Sequence, residues 1–421
     1  MALYDLLLQG GRTYDPETRT FAREDVAVRE GKIVLRAGEI PSESDATVLD
    51  AQGCVVSPGL IDMHCHIYPV FPYPREDSLR TISAEEHMTR CGVTTAVDAG
   101  TCGWRNFGDF KEQVIDRTKL RILAFLDIAA KGMAYTDSEQ AVADINPRIA
   151  AAVAQEWQSC IVGIKSAHYW PRHPDAAHPA FASIDGAREA AALSGTRVMV
   201  DSIPVVPERS YPAILRRLEP GDIHTHVFAQ QFPLLDEKGK VQDFLREERQ
   251  RGIRFDVGHG SGSFWFRQAV PCFEQDFWPD TLSTDLHHQN VTGPAMDLVY
   301  VISKFLAMGM PLGEVLYRVT RAPALVIGRP ELGTLRVGGC ADLAVLRVRE
   351  GTFGYLDCGG ARLRGEGKLE CVATVRAGEV IYDPEARSAP DWPEAPAPYW
   401  TAPGLLRGWE LRKEKEETVC G

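Results

Sequence analysis

The stretch SPGLIDMHCHIY, residues 57–68, sets His64 and His66 one residue apart behind the apolar run Gly59-Leu60-Ile61. Such a run reads as a strand buried on both faces, as in a parallel sheet. Side chains on a strand alternate between faces, so His64 and His66 share one face and Cys65 takes the other, where packing is its expected role. Two imidazoles on one face can grip a single divalent ion. Read this way, the spacing makes a half-site.

Runs of the same kind recur downstream: TTAVDAG (94–100), RILAFLDIA (121–129), IVGIKSA (161–167), RVMVDSI (197–203), DIHTHVF (222–228), RFDVGHG (254–260) and TLSTDL (281–286). Helical segments lie between them. NPRIAAAVAQEWQSC opens with Asn146 as a cap and Pro147 at the first helical position, and DGAREAAALSG stops at Gly195. Eight β-like runs alternating with helices over residues 57–332 predict an α/β fold, a (β/α)8 TIM barrel. Both ends of the chain have a different texture. Short β-like runs and turns fill residues 1–56, with a hairpin at Glu30-Gly31, and return in 333–385 as GTLRVGGCADLAVLRV and CVATVRAGEVIYDPE. They predict one small β-sandwich domain built from both ends, followed by an extended Pro- and Trp-rich tail over 386–421.

Composition narrows the partners. The 421 residues are 44% hydrophobic and carry a net charge of −12, which argues against nucleic acid or an anionic membrane as partner. The N-terminal stretch lacks a signal-peptide pattern and no apolar run is long enough to span a bilayer, so the expected location is cytoplasmic. The ten cysteines lack paired spacing and read as free thiols. A small-molecule substrate is the expected partner, and association into a homo-oligomer is left open.

Polar residues mark the ends of the barrel runs: His64 and His66 on the first, Lys165 on the fourth, Asp201 on the fifth, His226 on the sixth, His259 on the seventh and Asp285 on the eighth. In a barrel these ends converge on the C-terminal face, where active sites lie. Alone, each histidine would be an ordinary core residue and each aspartate a helix cap. Together they make a metal-ligating set. Lys165 stands out, since an unpaired ammonium ending an apolar strand is costly. A neutral lysine takes up CO2 to form a carbamate, whose two oxygens can bridge two ions.

These motifs resemble the amidohydrolase superfamily. SPGLIDMHCH is similar to its signature strand, and GTLRVGGCADLAVL resembles its return into the small sandwich. GIKSA, THVF, FDVGHGSGSFWF and STDLH look most like its dihydroorotase-related deacetylase/esterase branch. The resemblance implies two divalent ions, usually zinc, bridged by carbamylated Lys165, with His64, His66 and Asp285 on the first and His226 with the residue ending the fifth strand on the second. The family normally has a histidine there and this chain has Asp201. Either Asp201 ligates directly, the preferred expectation, or one ion is held with Asp201 hydrogen-bonded behind it. His224 is a conceivable compensator on the same face as His226, with packed interior the favoured role.

The activity so implied is hydrolysis of an amide or ester, N-acyl or O-acyl, in a small carboxylate-bearing substrate by metal-activated hydroxide, with Asp285 as the catalytic proton carrier. His259, Gly260 and Tyr169 are the expected substrate-binding residues, with Trp170 and Arg172 beside them. Opening of a cyclic amide, as in dihydroorotases and hydantoinases, is the competing chemistry. A non-catalytic scaffold on the same fold is the reading outside enzymes.

Overall fold

A computed structural model describes residues 3–43, 46–69, 80–171, 173–204, 206–395 and 399. Seven parallel strands, Leu60–Cys65, Val93–Gly103, Arg121–Asp127, Ile161–Ser166, Arg197–Val200, Ile223–His224 and Arg254–Phe255, pair in chain order into one curled sheet. The run 281–286 closes the barrel between the last and the first of them. It does so through single bridges, Asp256 to Thr281 and Cys65 to Leu286, rather than as an eighth full strand. Its composition explains this. Thr281 and Ser283 donate to Asp256, Thr284 donates to Asp62, and Asp285 turns to φ +48, so side chains carry much of the pairing that a ladder would. Ile61, Met63, Val97, Leu123, Phe125, Met199 and Ile223 fill the inside of the barrel.

Local signals place the helices as expected. The helix Pro147–Glu156 begins with Asn146, whose side chain accepts from the backbone N–H of Ile149 at 3.2 Å, and Ala182–Ser194 stops at Gly195. Cys65 is buried in the layer with Ile82 and Met88, and its thiol donates to Val97 O. None of the nine described cysteines is bridged to another. No helix among the described residues is long and apolar enough to cross a membrane.

The two chain ends do form a separate β-rich domain. A four-stranded sheet takes the order Lys32–Ala37, Asp25–Arg29, Leu6–Gln9, Thr47–Asp50, with its hairpin at Glu30-Gly31. A six-stranded sheet runs Glu379–Tyr382, Arg362–Arg376, Leu343–Leu356, Val55–Pro58, Arg12–Asp15, Thr20–Arg23. Leu6, Leu8, Val26, Val28 and Leu49 from one end pack against Leu335, Leu343, Val345, Val372 and Val375 from the other. The tail from residue 386 begins against this domain, where Asp50 N–H donates to Arg387 O, and most of it lies outside the described residues.

The helix Leu298–Ala307 docks the long hairpin of that domain onto the barrel. Ser303 Oγ accepts from Leu369 N–H, and the Tyr300 hydroxyl accepts from Leu356 N–H. Lys304 is fully buried between the two, its Nζ 2.8 Å from Pro294 O, 2.7 Å from Leu356 O and 2.6 Å from His259 Nε2. Burial pushes Lys304 down to about 7.

Two outcomes follow from this architecture. A chain beginning at Val55 loses six strands and half of the shared core, and isolated hairpins are marginal in water. It should be insoluble, or unfold at a temperature lowered by more than 10 °C, on the order of a loss of several kcal/mol; normal solubility and melting would refute the shared core. The second concerns Lys304. Between pH 7 and its ordinary 10.5 the unfolded chain binds a proton that the folded chain lacks, so this group makes folding more favourable as pH rises. Urea unfolding of wild type and Lys304→Met should diverge in favour of wild type from pH 7 to 10, by up to about 1.4 kcal/mol per pH unit. A pH-independent difference would show that the amine is not buried uncharged.

Candidate metal centre

His64, His66 and Asp285 come together at the C-terminal end of the barrel, all buried, with one ligand atom of each within 4.8 Å of the others. Asp285 Oδ1 stands 3.0 Å from His66 Nε2 and 3.5 Å from His64 Nε2. Adjacent donors of a tetrahedral ion held at about 2.0–2.1 Å stand about 3.3–3.4 Å apart, so these three atoms fit around one. The far side of each ring is fixed. His64 Nδ1 bonds Thr225 Oγ1 at 2.9 Å, which donates to Asp256, and His66 Nδ1 bonds Thr101 Oγ1 at 2.8 Å. Those bonds leave both Nε2 lone pairs for a cation. Burial, then Lys165, pushes His64 down to about 3, which keeps it neutral as ligation requires.

Lys165 is fully buried, with Nζ 3.4 Å from His64 Nε2. Among the described residues no carboxylate lies within 4.0 Å of that nitrogen. Gly100, at φ +90, gives it passage, since a Cβ there would fall 2.6 Å from Lys165 Cγ. The donor set of three strand ends, with an unpaired lysine beside it, fits a divalent ion.

Asp201 and His226 meet on the other side, Oδ2 to Nε2 at 3.1 Å, and His226 Nδ1 donates to Gly258 O. The His64 and His226 rings are 5.0 Å apart, so the two groups adjoin. His168, unflagged by the sequence reading, joins this group with Nε2 3.4 Å from Asp201 Oδ2. Behind it lies the buried Glu139, 3.2 Å from His168 Nδ1. Burial alone would raise the Asp201 carboxyl, but His226 and His168 hold it well below the usual range. Both His226 and Asp285 have positive φ, +60 and +48, conformations that cost energy in non-glycine residues and recur at functional sites.

A cavity of about 450 Å³ opens over these groups. His66, Asp201, His226 and Asp285 reach it from below, with His168, Trp170, Met133, Gln230, Ser261, Gly262, Ser263 and His287 around the rim. The three expected substrate contacts are not among its lining residues. His259 is fully buried, stacked on Phe264 at 4.7 Å and held by Lys304. Tyr169 is buried too, its hydroxyl donating to Pro179 O, so its neighbours His168 and Trp170 face the cavity instead. Gly260 packs on Asp285: at φ +59, a Cβ there would lie 2.5 Å from Oδ2. Arg172 lies outside the described residues. His224 does not share the face of His226. Its ring packs outward among Tyr211, Phe232 and Phe255, because the positive φ of His226 breaks the alternation.

Glu139 carried no local signal, and Thr101, Thr225 and Asp256 read as ordinary strand residues. His168 had one: it follows Lys165 by three residues, which keeps it at the mouth of the barrel.

Residues 118–382 match the model of the Amidohydrolase family. A deacetylase of Agrobacterium fabrum is 30% identical over 367 residues, 85% of this chain and 87% of its own. Among solved structures, an adenine deaminase superposes with a TM-score of 0.79 at 25% identity, covering 90% of this chain and 100% of its own. A dihydroorotase does so with a TM-score of 0.78 at 27% identity, covering 90% and 99%. With the barrel, the strand-end donors and these likenesses in agreement, the chain belongs to the amidohydrolase family and is a hydrolase of carbon–nitrogen bonds.

Proposed function

We propose that this protein hydrolyses an N-acyl or O-acyl bond in a small carboxylate-bearing molecule, using two divalent ions, zinc by donor chemistry, at the floor of the 450 Å³ cavity. The His64–His66–Asp285 cluster beside unpaired Lys165 is the observation that carries this reading. Two relatives that are deacetylases align with 85% and 87% of the chain. The first ion would be held by His64, His66 and Asp285, the second by Asp201 and His226, with Lys165 as a carbamate between them. Bound there, divalent ions polarise a scissile carbonyl and lower the pKa of water.

The chain's own groups then have distinct tasks. Asp285, facing the cavity at the level of both histidines, takes a proton from the attacking water and passes it to the leaving group. Its charge is maintained: burial would raise its carboxyl, but His64 and His66 hold it below the usual carboxylate range. Met133, Trp170 and Ile203 offer an apolar wall to the acyl portion. No lysine or arginine lines the cavity among the described residues, so the substrate carboxylate falls to neutral donors, Ser261, Ser263 and Gln230.

Four measurements test this. Metal analysis of the purified protein should find divalent ions, and N-acyl amino acids should be hydrolysed in preference to cyclic amides. Asp285→Asn should lower kcat by at least about 10³-fold with unchanged melting; near wild-type turnover would sink its role. Lys165→Ala should lose metal and activity together, and short carboxylic acids should restore part of both by filling the vacated bridge. Full metal content in Lys165→Ala would remove the lysine from the site.

A further inference from the structure

We infer that the cavity between Arg197 and Arg254, at the N-terminal end of the barrel, is a binding site for a small organic anion of the phosphate-monoester type. It lies at the opposite end of the strands from the metal centre and does not rest on the metal reading.

A cavity of about 330 Å³ opens there. Arg197 begins the fifth strand and Arg254 the seventh, with Gly221 between them on the approach to the sixth. Strands two places apart stand about 9–10 Å from each other, so two long side chains can converge on one group between them. Gly221, at φ +95, keeps that gap open, since a Cβ there would lie 3.4 Å from Arg197 Nε. Arg19 and Arg318 reach the same cavity, but both are paired with Glu314. The other two arginines are not so engaged. Arg197 Nη1 donates to Leu325 O at 2.9 Å and to Val326 O, and among the described residues no carboxylate lies within 4.0 Å of its nitrogens. Arg254 makes no side-chain hydrogen bond among the described residues, and its ion pair with Asp280 Oδ1 is 3.6 Å long. The other oxygen of Asp280 accepts from Phe255 N–H.

Charge argues for an occupant. With Asp280 on the wall and Glu314 behind it, the four arginines keep a surplus of two positive charges, in a chain whose net charge is −12. Burial first, and Arg254 second, lower Arg197 below its ordinary value, with Asp222 opposing. Guanidinium groups keep their charge, so an anion between them relieves the repulsion. A carboxylate offers two oxygens in one plane and fills a single guanidinium fork. A phosphoryl group offers three and can engage both forks. One wall of the cavity is apolar, formed by Ala322, Val326 and Leu325, the last of them 42% exposed. That wall suits an organic group carried on the phosphoryl oxygen.

The test uses the full-length protein with phenyl phosphate, inorganic phosphate and benzoate as probes, read by titration calorimetry and by melting temperature. Phenyl phosphate should bind, raise the melting temperature and lose affinity as salt is added. Inorganic phosphate should bind more weakly, and benzoate at least about tenfold more weakly than phenyl phosphate. Arg254→Gln should lower the affinity for phenyl phosphate by more than about tenfold, with the melting temperature of the free protein unchanged. Leu325→Ala should weaken phenyl phosphate and leave inorganic phosphate as it was. Equal losses for both would remove the apolar wall from the site. Failure of phenyl phosphate to bind, or full retention of its affinity in Arg254→Gln, as for an anion at the metal centre, would overturn the inference. Benzoate held as tightly as phenyl phosphate would overturn the phosphate assignment. None of these outcomes touches the hydrolase reading.

Discussion

Two backbone hydrogen bonds, from Asp285 N–H to His64 O at 2.7 Å and from His66 N–H to Leu286 O at 3.0 Å, join the last barrel segment to the first strand. Everything at the site depends on that closure, because the residues of the first half-site come from the two segments it joins. Asp62 reinforces it from below. Fully buried, it accepts from the hydroxyl of Thr284 at 2.5 Å and from its N–H at 3.1 Å, and burial, opposed by these bonds, lifts its carboxyl to about 7. Asp98 does the same above, its two oxygens accepting from Thr101, Ile67 and Tyr68 and fixing the turn that leaves His66.

The site therefore carries its chemistry on a frame of buried polar groups, each with named partners. Asp256 accepts from three hydroxyls, Thr225, Thr281 and Ser283, and so links three neighbouring strand ends. Removing one member of such a network leaves the others buried and unpaired, which is why it holds one geometry. Positive φ at His226 and Asp285 is tolerated inside that frame, where the surrounding bonds overdetermine the backbone.

Most of the barrel was legible because apolar runs buried on both faces leave few alternatives to a parallel strand. TLSTDL reads like its predecessors, yet side-chain bonds to Asp256 and Asp62 replace much of its ladder. Alternation also misled at DIHTHVF, where a turn at His226 sends His224 into the helix layer. The strand-end donors were visible since position along a strand fixes which end they occupy. Their wall of the cavity was not: Tyr169 and His168 are adjacent in the chain, and only packing decides that His168 faces inward. Glu139 belongs to a different loop, so its pairing with His168 exists in three dimensions alone.

The sandwich assembled from both chain ends also sets a problem during synthesis. Val55–Pro58 pairs with Leu343–Leu346, so the N-terminal strands leave the ribosome long before their partners exist. At about 5–20 residues per second the delay is roughly 15–60 s. Through that interval the edge of Val55–Pro58 lacks its C-terminal neighbour, and unpaired edges are templates for association. The barrel between them is better placed to mature early, since its strands pair in chain order. Its completion brings the two ends of the sandwich together, so that the last pairing made is between segments already held side by side.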